Sequence, residues 1–174
     1  MIAKEERMKV SKEGIDFIKR FEGLHDGDMS KIGLQPKMCP AGIWTAGYGH
    51  AMVNKKTGKF LVGTGDYKLI AEQYPELETM TEEEAANLLD KDLDKYESIV
   101  NRKIKVNLKQ NEFDMLVSHT FNTGGSETLF TLINKKKSAG TIREWWTKKY
   151  ISSNGVTLPG LIRRRNEEFE LYSK

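Results

Sequence analysis

The sequence predicts an α+β domain, a mostly helical body with a small β lobe inserted after the first helix. Three observations carry this. Apolar residues recur at helical spacing before about residue 23 and again after about residue 81. Between those stretches glycines crowd together (Gly27, Gly33, Gly42, Gly47, Gly49, Gly58, Gly63, Gly65), with Pro36 and Pro40 among them. The 174 residues, 38% hydrophobic and 30% charged, suffice for one folded core and contain no internal repeat. The chain reads as a single domain, 1–174. Its β lobe covers about 24–78, and its helical lobe covers about 11–23 and 79–174.

The elements follow in order. Ser11 caps a helix over about 12–23, with Ile15, Ile18 and Phe21 or Leu24 on the apolar face. In the glycine-rich stretch the clearest strand runs from Gly42 to His50, and Asn54 to Lys59 is the best turn. Thr81 and Glu84 form a capping box that starts a long helix carrying Ala85, Leu88, Leu89, Leu93, Tyr96, Ile99 and Val100. Another helix starts near Asn107, boxed by Gln110, and stops at Asn122-Thr123-Gly124-Gly125. Further helices begin near Ser126 and at Thr141, and the last runs from Pro159, a good first-turn residue, to Tyr172.

Composition narrows the function. The net charge is only +3, so basic surface depends on local clusters such as Lys135-Lys136-Lys137 and Arg163-Arg164-Arg165. Three consecutive arginines cannot share one helix face, which assigns at least one to Glu167 or Glu168. No nucleic-acid partner is expected. Cys39 is the single cysteine, so no intramolecular disulfide can form. Residues 1–7 lack an apolar core of signal-peptide length, and no later run could span a membrane. The expectation is a monomer without membrane insertion that accumulates in the cytoplasm. His25, Cys39, His50 and His119 show no metal-ligand spacing, and neither metal nor cofactor is expected.

Glu22 stands at the end of the first helix beside Phe21, and seventeen residues later begins Cys39-Pro40-Ala41-Gly42-Ile43-Trp44-Thr45-Ala46-Gly47-Tyr48-Gly49-His50. A carboxylic acid against an aromatic wall tends to keep its proton and can donate it to a leaving oxygen. Cleavage of a sugar polymer needs such an acid, a second polar group beneath the sugar ring, and a groove with aromatic and hydrogen-bonding walls. Cys39 and Thr45, six residues apart, can supply the second function if Pro40 and Gly42 bend the chain. The competing use of Cys39, a Cys-His peptidase with His50 or His119 as base, leaves Glu22 and the hairpin without a role.

Phe-Glu-Gly at 21–23, the hairpin at 39–50, Phe121-Asn122-Thr123-Gly124, and Leu158-Pro159-Gly160-Leu161-Ile162-Arg163-Arg164-Arg165 keep one order along the chain. Together they resemble the phage-type lysozymes, glycoside hydrolase family 24, over about residues 11–173. The resemblance implies a lysozyme-like fold and a muramidase that cuts the β-1,4 bond between N-acetylmuramic acid and N-acetylglucosamine. It implies Glu22 as general acid, Cys39 in the position that family members fill with Asp or Cys, and Thr45 as the third catalytic residue. It also implies Tyr48, Phe121, Asn122 and Gly124 as substrate contacts, with the Asn122 amide meeting an N-acetyl group, and His50 as a structural tie.

Compact family members hold the first two catalytic residues closer together. The surplus here is a loop over about His25 to Lys37, and a second surplus over about Lys59 to Glu78 lengthens the β lobe. The implied role is that of an endolysin, which acts on bacterial cell-wall peptidoglycan once a holin-like pore opens the membrane. A lytic transglycosylase cutting the same bond, or a non-catalytic wall-binding module, are the alternative readings.

Overall fold

A computed structural model describes residues 7–174; Met1 to Glu6, on which part of the signal-segment reading rests, lie outside the described residues. The chain forms two compact units. One comprises Glu22–Asp92, and the other the segments up to Phe21 and from Leu93 onward.

Helix α1 (Lys12–Glu22), all but its last residue in the second of these units, begins where Ser11 Oγ accepts the Gly14 N–H at 3.3 Å. Its buried face is Gly14, Phe17 and Ile18, whereas Ile15 is half-buried. The expected Ile15–Ile18–Phe21 stripe is therefore rotated. The cause is Asp114: it accepts the Ser11 N–H at 2.9 Å and the Ser11 hydroxyl, which draws this end of α1 in. A Cβ at Gly14 would lie 2.7 Å from the Asp114 carboxyl carbon, so only glycine fits.

Helix α2 (Lys68–Gln73) lies in the first unit, and α3 (Glu82–Lys103) starts at the expected box. There Thr81 Oγ1 accepts from Glu84 N at 3.1 Å, and Glu84 returns a carboxylate oxygen to Thr81 N at 2.8 Å. Helix α4 (Gln110–Thr123) starts later than the Asn107 box predicts, because Glu112 caps the Lys109 N–H at 2.7 Å. Helix α5 (Glu127–Asn134) is capped by Ser126. Helix α6 (Ala139–Lys148) begins before Thr141, because Ser138 Oγ rather than Thr141 caps it, accepting the Thr141 N–H at 3.2 Å.

Two strands, β4 (Ser152–Ser153) and β5 (Val156–Thr157), follow as an antiparallel hairpin whose turn residues Asn154 and Gly155 have φ of 50° and 76°. This Asn-Gly pair is a hairpin signal that the sequence reading passed over. Helix α7 (Pro159–Tyr172) packs against α4 and α6. The core of this unit includes Phe113, Leu116, Leu129, Trp146 and Phe169.

An ionic cluster is buried in that core. Arg164, Arg165, Glu168 and Ser118 are each 3% exposed or less. The Ser118 hydroxyl donates to Glu168 Oε2 at 2.7 Å, and the Trp146 indole N–H lies 3.4 Å from Oε1. Arg165 Nη1 stands 2.8 Å from Glu168 Oε1, an ion pair whose angles are not those of a hydrogen bond. Burial lifts the Glu168 carboxyl above the usual carboxylate range, against the pull of Arg165 and Arg164. The expected salt bridges to Glu167 and Glu168 are present, but only Arg163 makes its pair at the surface.

His119 is fully buried beside the rings of Trp145, Trp146 and Tyr150, and its Nε2 has no hydrogen-bond partner among the described residues. Burial, then the charges of Arg165 and Arg164, holds it well below the ordinary imidazole range of 6.5. Below that ordinary value the unfolded chain takes up a proton that the folded chain refuses, so acidification removes stability. The loss should begin near pH 6.5 and steepen toward about 1.4 kcal/mol per pH unit. Urea unfolding of the parent and of His119→Phe across that range checks this. A variant as acid-sensitive as the parent would assign the loss to another group.

Candidate active site

The β lobe centres on a three-stranded antiparallel sheet, β1 (Lys37–Met38), β2 (Trp44–Ala46) and β3 (His50–Ala51). The single strand expected from Gly42 to His50 is thus two strands. Gly47 and Gly49, with φ of 56° and 87°, fold the chain between them and let Ala46 pair with His50.

Between β1 and β2 the chain turns through Pro40-Ala41-Gly42. The Cys39 carbonyl accepts the Gly42 N–H at 2.8 Å, the Cys39 N–H donates to the Ile43 carbonyl at 2.9 Å, and Gly42 sits at φ 78°. This is a three-residue hairpin with a left-handed glycine. The Thr45 hydroxyl donates to that same Ile43 carbonyl at 3.2 Å, so one peptide oxygen anchors both Cys39 and Thr45. Lys37 is paired with Thr45, which puts positions 37, 39, 43 and 45 on one face of the hairpin. With its proton given to Ile43, the buried Thr45 oxygen keeps lone pairs to accept from water. Cys39 is free and half-buried.

Glu22, half-buried at the end of α1, meets the sheet at its next turn. A Cβ at Gly49 would lie 2.9 Å from Glu22 Oε2, so the carboxylate packs on bare backbone where any side chain would displace it. His25 fixes the chain just past Glu22, its N–H donating to the Gly47 carbonyl at 2.9 Å with Nδ1 3.0 Å from the same oxygen. His50 Nδ1 lies 2.7 Å from Asp92 Oδ2, tying β3 to α3. Tyr48, expected to contact substrate, is only 8% exposed and its hydroxyl lies 3.3 Å from Glu82 Oε1. That burial makes it a pin holding the Gly47–Gly49 turn to α3.

The other expected contacts lie in the helical unit. Phe121 is half-buried, edge-on to Tyr96 at 5.1 Å. Asn122 is exposed, and Arg165 donates to its Oδ1, which leaves the Nδ2 hydrogens for an incoming acceptor. Gly124 ends α4 at φ 87°, its N–H bonded to the Thr120 carbonyl at 2.8 Å.

The profile of the family described as Phage lysozyme matches residues 19–168. The chain belongs to that family. It is 32% identical to the endolysin of Acyrthosiphon pisum secondary endosymbiont phage 1, over 95% of this chain and 98% of that protein. It is 27% identical to the endolysin of Bacillus phage PZA over 95% of its own length, but spans only 55% of that longer protein. Among solved structures, the muramidase domain of SpmX from Asticaccaulis excentricus is 29% identical, with a TM-score of 0.69 over 97% of this chain and 99% of that one. An endolysin from Escherichia coli O157:H7 phage FAHEc1 is 32% identical, with a TM-score of 0.66 over 96% and 94%.

Within this lysozyme-like fold the two surplus segments take different forms. The segment over 25–37 is a loop closed by Gly27 N donating to Gln35 O at 3.0 Å and by a bridge between Leu34 and Met80. The segment over 59–78 begins with single bridges, Val53 to Phe60 and Ile43 to Val62, and then turns helical. It adds α2 rather than more sheet, because Ile70, Tyr74 and Leu77 fall at helical spacing and are all buried. Asp92 and Gly49, which hold His50 and seat Glu22, were not singled out by the sequence reading. No local pattern links either to its partner. Among the described residues no group of three or more His, Cys, Asp or Glu is placed to hold a metal ion.

Proposed function

We propose that Glu22, Cys39 and Thr45 are the catalytic groups of a peptidoglycan muramidase of the endolysin kind. The observation that carries the reading is that one short sheet seats all three. Glu22 rests on the Gly49 backbone, and the Ile43 carbonyl binds both Cys39 and Thr45. In the reaction, the Glu22 carboxyl gives its proton to the glycosidic oxygen as the bond from the anomeric carbon breaks. Water held by Thr45 Oγ1 adds to that carbon and gives up a proton that restores the Glu22 carboxyl, while Cys39 stabilises the positive charge developing at the carbon. The Asn122 amide, with Phe121 and Gly124 beside it, receives the N-acetyl group of a bound sugar.

Mass spectrometry of digested cell wall tests this. Hydrolysis leaves reducing N-acetylmuramic acid ends, whereas 1,6-anhydro ends in their place would mean a transglycosylase. Absence of any cleavage by folded protein would leave a wall-binding module.

Substitutions at Cys39 separate charge from packing. If the sulfur acts as an anion, Cys39→Asp keeps substantial lytic activity while Cys39→Ser and Cys39→Ala lose most of it. Thiol alkylation then inactivates the enzyme, and substrate protects it. The half-buried position leaves an aspartate in contact with water, so its charge is not stranded. Full activity in Cys39→Ser would remove the anionic role.

No helix among the described residues is long and apolar enough to cross a membrane. The protein acts as a monomer that waits inside the producing cell until a holin-like pore opens the membrane. Expressed alone in a Gram-negative host, it should be tolerated until the membrane is permeabilised. Prompt lysis without that treatment would contradict the reading.

A further inference from the structure

The run Lys135-Lys136-Lys137 has no part in the core or in the proposed catalysis, yet the end of α5 holds it in an ordered turn. The Lys135, Lys136 and Lys137 N–H groups donate to the Thr131, Ile133 and Leu132 carbonyls at 2.9, 2.9 and 3.0 Å, with Lys136 at φ 51°. Asn134, the last residue of α5, joins this turn to the segment leaving α3. Its Oδ1 accepts the Lys105 N–H at 2.7 Å, and its Nδ2 donates to the Lys103 carbonyl at 2.9 Å. Two basic segments distant in sequence thereby become neighbours.

Beside that junction, within the helical unit, lies a concavity of about 840 Å³. Arg7, Arg102 and Lys105 line it, and no acidic side chain does among the described residues. All three cations are exposed, as are the three lysines after Asn134. None of the six makes an ion pair among the described residues, whereas Lys103 is matched by Glu127 at 2.6 Å. Six unmatched positive charges, twice the net charge of the whole chain, lie along one stretch of surface. Their mutual repulsion is relieved by a polyanion, which displaces the small ions that would otherwise gather there.

The lining selects among polyanions. Val100, Ile104 and Phe113 are at most 8% exposed, and none of the exposed large apolar side chains lines the concavity, so it offers no bed for an acyl chain. Phe113 is the only aromatic residue lining it among the described residues, and it is 0% exposed. No ring is available for a nucleic-acid base to stack on. What fits is a slim chain that carries its charges along its own backbone.

We propose that this concavity and the lysine turn beside it bind a phosphodiester polymer without bases, a polyol phosphate of the bacterial wall. The Arg7 and Arg102 guanidinium forks each take two oxygens of a phosphate, and Lys105 with the lysine turn takes the phosphates that follow. Bound there, the enzyme stays at the wall between cuts, because a second grip raises the effective concentration at the cleaving site. The wall as source of the polymer rests on peptidoglycan being the substrate; the affinity for polyol phosphate does not.

The test is a titration of the full chain against end-labelled poly(glycerol phosphate), read by fluorescence anisotropy. Polyglutamate and an oligo-thymidylate of matched charge are the comparison polymers. The polyol phosphate should bind about tenfold more tightly than either. Arg102→Ala and Lys105→Ala, both at exposed positions, should each weaken binding about tenfold, and Lys135→Ala combined with Lys137→Ala should do the same. The logarithm of affinity should fall with that of salt concentration, less steeply in each variant, because fewer counter-ions are released. Lys56→Ala, exposed on the other unit, should bind as the parent does.

Equal binding of the three polymers, tighter binding of either comparison polymer, unchanged binding in Arg102→Ala, or a loss in Lys56→Ala as large as in Arg102→Ala would overturn the proposal. The polymer has no glycosidic bond, so binding is scored independently of turnover. A parent that binds it without cleaving wall would sink the hydrolase reading and leave this site standing; cleavage without binding would do the reverse.

Discussion

Replacing Glu22 with glutamine should lower turnover on purified cell wall by at least ~100-fold, the usual scale for losing a general acid. Glutamine has the same shape and cannot donate a carboxyl proton. It keeps the packing against Gly49, where even one added Cβ would come within 2.9 Å of the Glu22 carboxylate. The fold should therefore survive, and thermal unfolding close to that of the parent is part of the expectation. Turbidity clearing measured on matched amounts of folded protein gives the number. Near-normal activity would move the acid elsewhere and leave Glu22 as a helix-end carboxylate. Gly49→Ala supplies a related check, because a side chain at φ 87° is strained and would push the carboxylate aside.

Glu168→Leu should destabilise the protein by about 3–5 kcal/mol, because it leaves two arginines in the core without their counter-charge. Arg164 and Arg165 are 3% and 0% exposed, and Glu168 itself is 0% exposed. The Ser118 hydroxyl and the Trp146 indole would lose their acceptor as well. The midpoint of thermal unfolding should fall by about 6–20 °C. Arg163→Ala is the contrast. Its side chain is 68% exposed and its pair with Glu167 spans 3.7 Å, so a change within ~0.5 kcal/mol is expected. If Glu168→Leu unfolds no more easily than Arg163→Ala, the buried cluster contributes specificity or nothing, and not stability. Glu168 belongs to the helical unit, and Glu22, Cys39 and Thr45 belong to the other.

Local signals were legible in the chain. The Thr81–Glu84 box, Ser126 as a cap, Pro159 in the first turn of α7 and the glycine stop after Thr123 all appear where the sequence places them. Each is closed by a hydrogen bond or a backbone restriction within a few residues, so nothing distant can overrule it. The misplacements have the same origin in reverse. Asn107 could have capped a helix, but Glu112 reached the Lys109 N–H first; Thr141 was displaced because Ser138 lay three residues upstream. Gly42 to His50 satisfied a strand pattern on average while two left-handed glycines folded it in half.

What the sequence determined by itself is the α+β class, the family, and the three groups proposed for catalysis, because those depend on local patterns of residue types kept in one order along the chain. What only the tertiary structure decided are partnerships between distant positions: Asp114 rotating α1 through Ser11, Asp92 holding His50, Gly49 seating Glu22, and Ser118 and Trp146 meeting Glu168. Periodicity ranks residues by hydrophobicity and puts charges outside. It cannot say which buried charge will meet a hydrogen-bond partner from another helix. That choice is made by the path of the chain, where burying a polar group is tolerated only if a partner meets it there.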